Sequence, residues 1–370
     1  MEQQEVGPIN VYRKIVEWID AGRAFAAALV LCAEGSTPQW AGARAVIDAA
    51  GGIAGTLGGG WVEARAQGHA LEVCRANCAV VLDLHLDAAA AEQSGAICGG
   101  SMRILLDPTA VRHRECYARA AEAIEGRRRG VLRTEVMTAT AGPDGPKTVV
   151  RVEWLSEEAI ASVSERPGGE AMWSCLERQR PRLFVDESRA AQPAVEVFVE
   201  PVIPTPLLVI VGGGHVGREL AGQAVRVGFE VIVLDDRPEF AQPGLFPAGV
   251  TARCGNVARE LAAFPLGPDT YVAIVTRGHQ QDAEALAACL RAPAAYVGMI
   301  GSRRKVAMIR RSFLDSGLAT EEEFDRVFAP IGLELGAVTV AEIAASIVAQ
   351  LIAVRRLGSE VVRSGRQVPR

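Results

Sequence analysis

The sequence predicts an α/β protein with an N-terminal α/β domain and a C-terminal Rossmann-like domain built on a doubly wound parallel sheet. Residues 206–236 are typical of strand, glycine turn, helix and second strand, because two apolar runs flank an amphipathic segment. The 38 glycines and the 5% aromatic share fit a protein with many tight turns. Three prolines, at positions 201, 204 and 206, predict a stiff linker. We therefore expect domains at 1–200 and 207–357, joined by a linker at 201–206, with a flexible tail at 358–370.

Composition and charge exclude several classes of protein. The formal net charge of −5 gives no reason to expect a nucleic-acid partner. No apolar run approaches the roughly 18 residues of a membrane span, and the first residues lack the charged-then-apolar pattern of a secretory signal. The eight cysteines have no zinc-site spacing, so free thiols are expected. These features predict a cytoplasmic protein without a membrane partner.

The N-terminal region begins with an amphipathic helix, in which Ile15, Trp18 and Ile19 share one side. Short β-branched and apolar runs alternate after it with glycine turns and helical patterns. The predicted helices are 11–22, 61–76, 111–125, 157–163 and 170–178. The predicted strands are 24–33, 43–48, 53–57, 79–86, 101–106, 182–186 and 195–200, with a hairpin of 131–140 and 148–154.

Three loops in the first 106 residues expose backbone N–H donors and are candidate ligand loops. Each follows or precedes a predicted strand, and a glycine-rich turn before a helix can hold an anion. The candidate residues are Gly35, Ser36 and Thr37 in the first loop, Gly58, Gly59 and Gly60 in the second, and Cys98, Gly99 and Gly100 in the third. Tight turns made for close packing are the structural alternative. Cys98 has two glycines after it, which would leave its thiol accessible for chemistry.

The C-terminal region contains the pattern G-x-G-x-x-G at Gly212, Gly214 and Gly217. The first glycine permits the turn, the second lets a pyrophosphate approach the backbone, and the third lets the helix pack on the strand. Asp235 ends the next predicted strand, where a carboxylate can accept ribose hydroxyls and favour NAD over NADP. A turn that holds another phosphate, or no ligand, stays open as the alternative.

Further candidates follow strands 271–276 and 295–300, at the edge where an open α/β sheet places its ligand. Helices are expected at 257–263, 280–291, from 301, at 321–327 and at 339–356, with a short strand at 251–254. The candidate nucleotide-binding residues at this edge are His215, Asp236, His279, Gly301, Ser302, Arg303 and Arg304. Ser302 has a simpler interpretation as a helix N-cap, with the two arginines in a solvated first turn.

Several strings, taken in order, resemble the xanthine dehydrogenase accessory factors, the XdhC/CoxI maturation family. The resemblance runs from about residue 11 to 356 and is weak only at 110–200. The strings are GSTP at 35–38, AGA at 41–43, GTLGGG at 55–60 with Glu63, CGG at 98–100, GGGHVG at 212–217, DDRPEF at 235–240, TRGH at 276–279 with Asp282, GMIGSRRK at 298–305 and AEIAASI at 341–347.

The resemblance implies a maturation chaperone rather than a catalyst. Members of this family bind the molybdenum cofactor, a pyranopterin in mono- or dinucleotide form. They assist its sulfuration, with sulfur from a cysteine desulfurase, and its insertion into a xanthine-dehydrogenase-like apoenzyme. By this resemblance, Cys98 is the residue that would ligate molybdenum or relay sulfur.

One departure concerns position 61, where the family typically has cysteine after the triple glycine and this chain has Trp61. Tryptophan neither coordinates molybdenum nor carries a persulfide, so the departure bears on sulfur chemistry more than on cofactor binding. Two other functions stay open. One is an NAD-dependent oxidoreductase that uses the Rossmann turn, and the other is a degenerate nucleotide-binding scaffold. A homodimer is expected from the frequency of two-fold assemblies.

Overall fold

The computed structural model describes residues 10–86, 99–142, 145–164, 168–186 and 194–364. These residues divide into two compact units, and the boundary in the chain falls between Pro204 and Thr205. Cys98, one of the candidate ligand residues, lies outside the described residues, as does the end of the chain from 365. No described helix is long and apolar enough to cross a membrane.

The unit that ends at Pro204 holds two antiparallel sheets. Its helices are α1 Val11–Asp20, α2 Gly60–Ala76, α3 Arg114–Glu125, α4 Glu157–Ala161 and α5 Gly169–Arg178. Its strands are β1 Phe25–Glu34, β2 Arg44–Asp48, β3 Ile53–Gly55, β4 Val80–His85, β5 Ser101–Asp107, β6 Gly130–Gly142, β7 Gly145–Ser156, β8 Arg182–Val185 and β9 Val195–Val202.

The larger sheet of this unit has the order β3-β2-β1-β5-β4, and the smaller has the order β7-β6-β9-β8. Strand β1 is buried along its first seven residues, since one face of the larger sheet packs on α2 and the other on α1 and α3. The hairpin predicted around residues 142–146 is confirmed by the β6–β7 pairing.

A buried ion pair lies between the two sheets of this unit. Arg44 of β2 donates two hydrogen bonds from Nε to the carboxylate of Glu200 on β9, at 2.8 and 3.1 Å, and a further one from Nη2. Both side chains are more than nine-tenths buried. The rings of Tyr12 and Tyr117 lie within 6.0 Å of the guanidinium. Two charges removed from water in this way tie the sheets together through specific geometry.

The unit that begins at Thr205 is a parallel five-stranded sheet of order β12-β11-β10-β13-β14. Its strands are β10 Leu207–Val211, β11 Glu230–Asp235, β12 Val250–Cys254, β13 Thr270–Ile274 and β14 Tyr296–Met299. Its helices are α6 His215–Arg226, α7 Val257–Ala262, α8 His279–Cys289, α9 Arg303–Asp315, α10 Glu321–Asp325, α11 Val340–Leu357 and α12 Ser359–Ser364.

Helices cover both faces of this sheet, so the predicted doubly wound Rossmann-like fold is confirmed. One face packs on α6 and α11, and the other packs on α8, α9 and α10. Strand β10 lies at the centre and is buried at all five positions, as expected for a strand covered on two sides.

Two predicted boundaries differ from the structure. Pro201 and Val202 belong to β9, because Pro201 pairs with Val131 across the smaller sheet, so the segment without strand structure begins at Ile203. The sequence predicts a flexible tail from residue 358, but residues 359–364 form α12, where Val362 packs against the apolar cluster of α11. Apolar residues spaced for a single turn give too weak a pattern to predict so short a helix.

Candidate functional site

The three predicted ligand loops of the first unit come together at one end of its larger sheet. Strands β1 and β5 are neighbours, and Glu34 pairs with Ser101, so the loops beyond these two residues meet. A Cβ built on Gly100 would lie 2.5 Å from the carbonyl oxygens of Glu34 and Ser36. Only glycine therefore allows the first and third loops to pack at this distance.

The second loop packs against the first through Gly58 and Pro38. A Cβ on Gly58 would lie 2.7 Å from the Cβ of Pro38, and Gly58 has a φ of +110°, which favours glycine. Gly35 also has a positive φ and faces Gly99 and Gly100. The hydroxyl of Thr37 donates a hydrogen bond to the carbonyl oxygen of Gln39, at 2.9 Å. Close packing and glycine-specific conformations thus account for part of the glycine pattern.

Other glycines in these loops face open space. Among the described residues, and leaving the immediate chain neighbours aside, no atom lies within 4 Å of a Cβ built on Gly59, Gly60 or Gly99. Gly59 and Gly60 have φ values of +74° and +55°, whereas the φ of Gly99 lies outside the positive range. A ligand can approach the backbone at all three positions, but only Gly99 could accept a side chain without backbone strain.

The anion cradle expected at Gly58–Gly60 is filled by the chain itself. The carboxylate of Glu63, in the first turn of α2, accepts hydrogen bonds from the backbone N–H of Leu57 at 2.9 Å and of Gly59 at 3.0 Å. It also accepts the hydroxyl of Thr56 at 2.8 Å. Burial alone would raise the pKa of Glu63, but these hydrogen bonds hold the pKa below its ordinary value. The expectation of free donors here was wrong for Gly58, whose N–H donates to the hydroxyl of Thr56 at 3.1 Å, and for Gly59.

Trp61 is the second residue of α2 and is half-buried against the apolar face of the larger sheet. The guanidinium of Arg65 lies 5.8 Å from its ring. Cys32, near the end of β1, is a described thiol close to the first loop and donates to Glu34 at 3.7 Å. Burial raises the pKa of the Cys32 thiol, so it is a poor nucleophile. None of the seven described cysteines forms a disulfide, and the described residues hold no metal-binding cluster of His, Cys, Asp or Glu.

The first and third glycines of the turn in the second unit have the structural roles that the sequence predicted. Gly212 has a φ of +111°, and a Cβ on Gly217 would lie 1.9 Å from the carbonyl oxygen of Gly212, so the helix packs directly on the strand end. Gly214 is extended, with a φ of −69°, and its Cβ would meet open space. His215 begins α6 and is exposed. Backbone N–H groups at the start of α6 are therefore accessible to an anion.

Asp235 has a different role from the predicted ribose acceptor. Its side chain is 2% exposed, and its carboxylate accepts the N–H of Gly213 at 2.8 Å. Arg237 donates to it from the backbone N–H, Nε and Nη2 at 2.9–3.0 Å. Burial would raise the pKa of Asp235, but the Arg237 and Gly213 hydrogen bonds hold that pKa below its usual value. Asp235 orders the glycine turn and has no lone pair left facing solvent.

Asp236, His279 and the 301–304 segment all lie at the carboxyl ends of the strands, as predicted. Asp236 is exposed and accepts the side-chain N–H of Gln281 at 2.9 Å. His279 is the first residue of α8 and is exposed. Gly301 precedes Ser302, which caps α9 by accepting the N–H of Lys305 at 3.3 Å, so the N-cap interpretation is confirmed.

The two arginines of this segment are both exposed in the first turn of α9. Arg303 lies 3.9 Å from Glu334, with both side chains 89% exposed. Arg304 is exposed and makes no ion pair with a described residue, so it is open to an anion from solvent. Lys305 is not, because it pairs with the fully buried Asp282, which also accepts the hydroxyl of Thr276.

Several residues at this edge were not among the candidate site residues of the sequence analysis. Three guanidiniums surround the ring of Phe240, those of Arg237 at 3.9 Å, Arg277 at 5.3 Å and Arg218 at 5.5 Å. They come from three distant points of the chain, so no local pattern reveals the cluster. Nε of Arg218 also donates to the carbonyl oxygen of Gly213 at 3.0 Å.

Family comparisons agree with this architecture. The model of the XdhC and CoxI family matches residues 18–84, and the model of the XdhC Rossmann domain matches residues 208–351. Together they match more than half of the chain. A crystal structure of a xanthine dehydrogenase from Bacillus halodurans shares the fold, with a TM-score of 0.65, 23% identity and coverage of 95% of this chain and 97% of that one.

Two curated proteins are similar over part of their length. YqeB of Escherichia coli (strain K12), which is uncharacterized, is 34% identical over 52% of this chain and 37% of its own. A protein of Bacillus subtilis (strain 168), named as a probable component of xanthine dehydrogenase, is 30% identical over 43% of this chain and 46% of its own. The chain spans less than half the length of these relatives in the matched regions. By the two family models, this chain belongs to the XdhC and CoxI family.

Proposed function

We propose that this protein binds the molybdenum cofactor and assists its sulfuration and its insertion into a xanthine-dehydrogenase-type hydroxylase. The observation that carries the proposal is the convergence of three glycine loops at one end of the larger sheet in the first unit. Family membership supports it, and so does the similarity to a probable xanthine dehydrogenase component. The partners we propose are a xanthine-dehydrogenase-like apoenzyme and a cysteine desulfurase, in the cytoplasm, with the protein itself as a homodimer.

The loops fit a pyranopterin phosphate in their backbone chemistry. No described residue fills the space at Gly59, Gly60 and Gly99, so polar ligand atoms can reach the main chain at each of them. The carboxylate of Glu63 already satisfies two N–H donors, and an anion bound at that turn would have to displace it. We therefore expect the phosphate near Gly60 and Gly99, beside the position of Glu63 rather than on it.

The chain's residues would bind, orient and shield the cofactor. When bound, the cofactor would supply the molybdenum centre that receives the sulfur. Cys98 is the thiol that we propose for sulfur relay or molybdenum ligation, on its sequence position between the two glycines and the preceding loop. Trp61 offers an apolar surface where the family typically has a thiol.

The oxidoreductase alternative lacks a proton donor with a suitable environment. Tyr296 is buried and donates to Gln350 at 2.6 Å, and burial raises the pKa of Tyr271 to about 12. Lys305 is held by Asp282. His215 and His279 are exposed at the carboxyl edge of the sheet, and within the described part of the chain neither is hydrogen-bonded to a lysine or tyrosine. A nucleotide at this edge would on these grounds be a bound ligand rather than a hydride donor.

Gly99→Val tests the loop site directly. A valine side chain would project into space that no described residue fills, at a φ outside the positive range, so we expect the variant to fold and to lose cofactor retention at least tenfold, about 1.4 kcal/mol. Gly68→Val is the matched control, because Gly68 is an exposed glycine of α2 with no atom near its Cβ. Retention is the molybdenum and pterin content after purification from a molybdate-supplied host. Equal retention in both folded variants would exclude the loop site.

A further inference from the structure

At the glycine turn of the second unit, Asp235 has no free carboxylate oxygen for a ribose, and arginines lie beside it. In dinucleotide-binding Rossmann folds, the acid that ends the second strand accepts the ribose hydroxyls, and an arginine nearby instead accommodates a 2′-phosphate. Here that acid is Asp235, whose carboxylate is 2% exposed and fully engaged by Gly213 and Arg237. A ribose diol would find no free acceptor on it.

In place of a free acceptor, two arginines offer N–H donors beside Asp235. The hydrogen bonds of Arg237 to Asp235 use its backbone N–H, Nε and Nη2, so its Nη1 has no acceptor in the described part of the chain. Arg277 is exposed at the end of β13 and makes no ion pair with a described residue. Both guanidiniums lie on the ring of Phe240, which holds them at 3.9 and 5.3 Å.

The acids beside this cluster are Asp236 and Glu239, which are both exposed. Asp236 Oδ1 lies 3.8 Å from Nε of Arg237, and its Oδ2 accepts Gln281. Exposed carboxylates are well hydrated and weaken a neighbouring phosphate site only modestly. Asp236 directly follows Asp235 and could accept a ribose diol in its place, which gives the experiment its opposite outcome.

We infer that the Rossmann turn takes a nucleotide whose adenosine ribose carries a phosphate, in preference to one with a free ribose diol. The inference takes as its premise the nucleotide that the sequence pattern at Gly212, Gly214 and Gly217 predicts, and it reverses the preference for NAD that Asp235 suggests in the sequence. The 2′-phosphate would meet Arg237 Nη1 and Arg277. The 5′-phosphates would meet the N–H groups at Gly214 and His215, with Arg218 beside them.

Pairs of ligands that differ only in the ribose phosphate measure the effect of that phosphate on binding. Adenosine 2′,5′-bisphosphate and 5′-AMP differ by that group alone, and NADP⁺ and NAD⁺ repeat the comparison on the whole dinucleotide. Calorimetric titration of the full chain should give about tenfold tighter binding for the phosphorylated member of each pair, the effect of one charge-assisted hydrogen bond. The ratio should shrink as salt is raised, because the site is open to solvent.

Variants assign the effect to residues. Arg277→Gln should remove most of the preference, and Arg237→Gln should remove it while freeing Asp235 for a ribose diol. Arg226→Gln is the control, since Arg226 is an exposed arginine at the far end of α6. Tighter binding of NAD⁺ and 5′-AMP, no binding of any of the four ligands, or a preference unchanged in Arg277→Gln and Arg237→Gln would each overturn the inference. None of these outcomes bears on molybdenum content, so the cofactor proposal stands or falls separately.

Discussion

The carboxylate of Glu63 accepts a hydrogen bond from the backbone N–H of Gly59 at 3.0 Å, so a side chain of the protein itself supplies the anion at the N-terminal glycine turn. The same carboxylate accepts the N–H of Leu57. Asp235 and Gly213 repeat this relationship in the other unit at 2.8 Å. In both units an acid from a neighbouring element satisfies a turn N–H that would otherwise be left for a ligand or for water.

Removal of the Glu63 carboxylate should destabilise the first unit. Glu63→Ala leaves two backbone donors without their acceptor, and we expect a loss of about 1–3 kcal/mol in the free energy of unfolding. Sulfate or phosphate should restore more stability to this variant than to the wild type, because the emptied turn can hold the anion. Denaturant titration with and without sulfate measures both effects. Equal stabilisation of the two proteins by sulfate would contradict the self-filled turn.

The Glu63 contribution should depend on pH in the acid range. Its folded pKa is lowered, so the stability it confers is fully present above the carboxyl's unfolded pKa of about 4.3. That stability is lost as pH falls through the folded pKa, below this value. The difference in unfolding free energy between wild type and Glu63→Gln should therefore be constant from pH 6 to 8 and diminish below about pH 4. A constant difference down to pH 2 would show that the charge of Glu63 is irrelevant.

Alanine substitutions at two glycines of the Rossmann turn should affect different properties, nucleotide binding at one and stability at the other. Gly214→Ala places a methyl group in open space where a phosphate would approach, so it should abolish nucleotide binding at a cost of at most about 1 kcal/mol in stability. Gly217→Ala forces a methyl group against the carbonyl of Gly212 and should cost about 1–3 kcal/mol. Thermal unfolding and calorimetric titration separate the two. A Gly214→Ala protein that binds nucleotide normally would remove the turn from the site.

The buried ion pair of Arg44 and Glu200 should be costly to break from one side. Arg44→Met leaves the Glu200 carboxylate buried without its partner, and we expect a loss of about 3–5 kcal/mol. The double variant with Glu200→Leu should recover most of that loss, because both charges are then absent. Urea titration measures each variant. A double variant as unstable as Arg44→Met would show that packing, rather than the unpaired charge, dominates.

A cysteine introduced at position 61 should show whether the loops still form the site in which the family typically has a thiol. In Trp61→Cys the new thiol lies at the second residue of α2, where the helix N-terminus lowers a thiol pKa. We expect molybdenum cofactor retention to rise by a factor of about ten if the surrounding loops still form the site. Trp61→Ala is the control for loss of the indole. Equal retention in both variants would favour the degenerate scaffold.

Much of the fold follows from local patterns in the sequence. The glycine turn, the apolar runs and the Pro-rich segment near 201 predict two units and a Rossmann-like sheet, because each signal depends on neighbouring residues only. The capping role of Ser302 was likewise predictable from its place before a helix.

The side-chain partners at the sites were not predictable in this way. Asp235 at a strand end has the same local sequence whether it faces a ribose or Arg237, and only the position of Phe240 and the turn decides between them. The arginines around Phe240 are separated by up to 59 residues, between Arg218 and Arg277, so their meeting depends on strand order. The hydrogen bond from Gly59 to Glu63 requires the Glu63 side chain to reach back to the turn before its own helix. Helical periodicity does not predict that orientation.

Native mass spectrometry of the protein purified from a molybdate-supplied host, with molybdenum measured on the same sample, decides whether the protein carries the molybdenum cofactor. We expect a bound pyranopterin mass with near-stoichiometric molybdenum in the wild type, and its loss in Gly99→Val but not in Gly68→Val. A protein that carries a nucleotide mass and no molybdenum, under conditions in which a co-expressed xanthine-dehydrogenase-type enzyme acquires the cofactor, would contradict it.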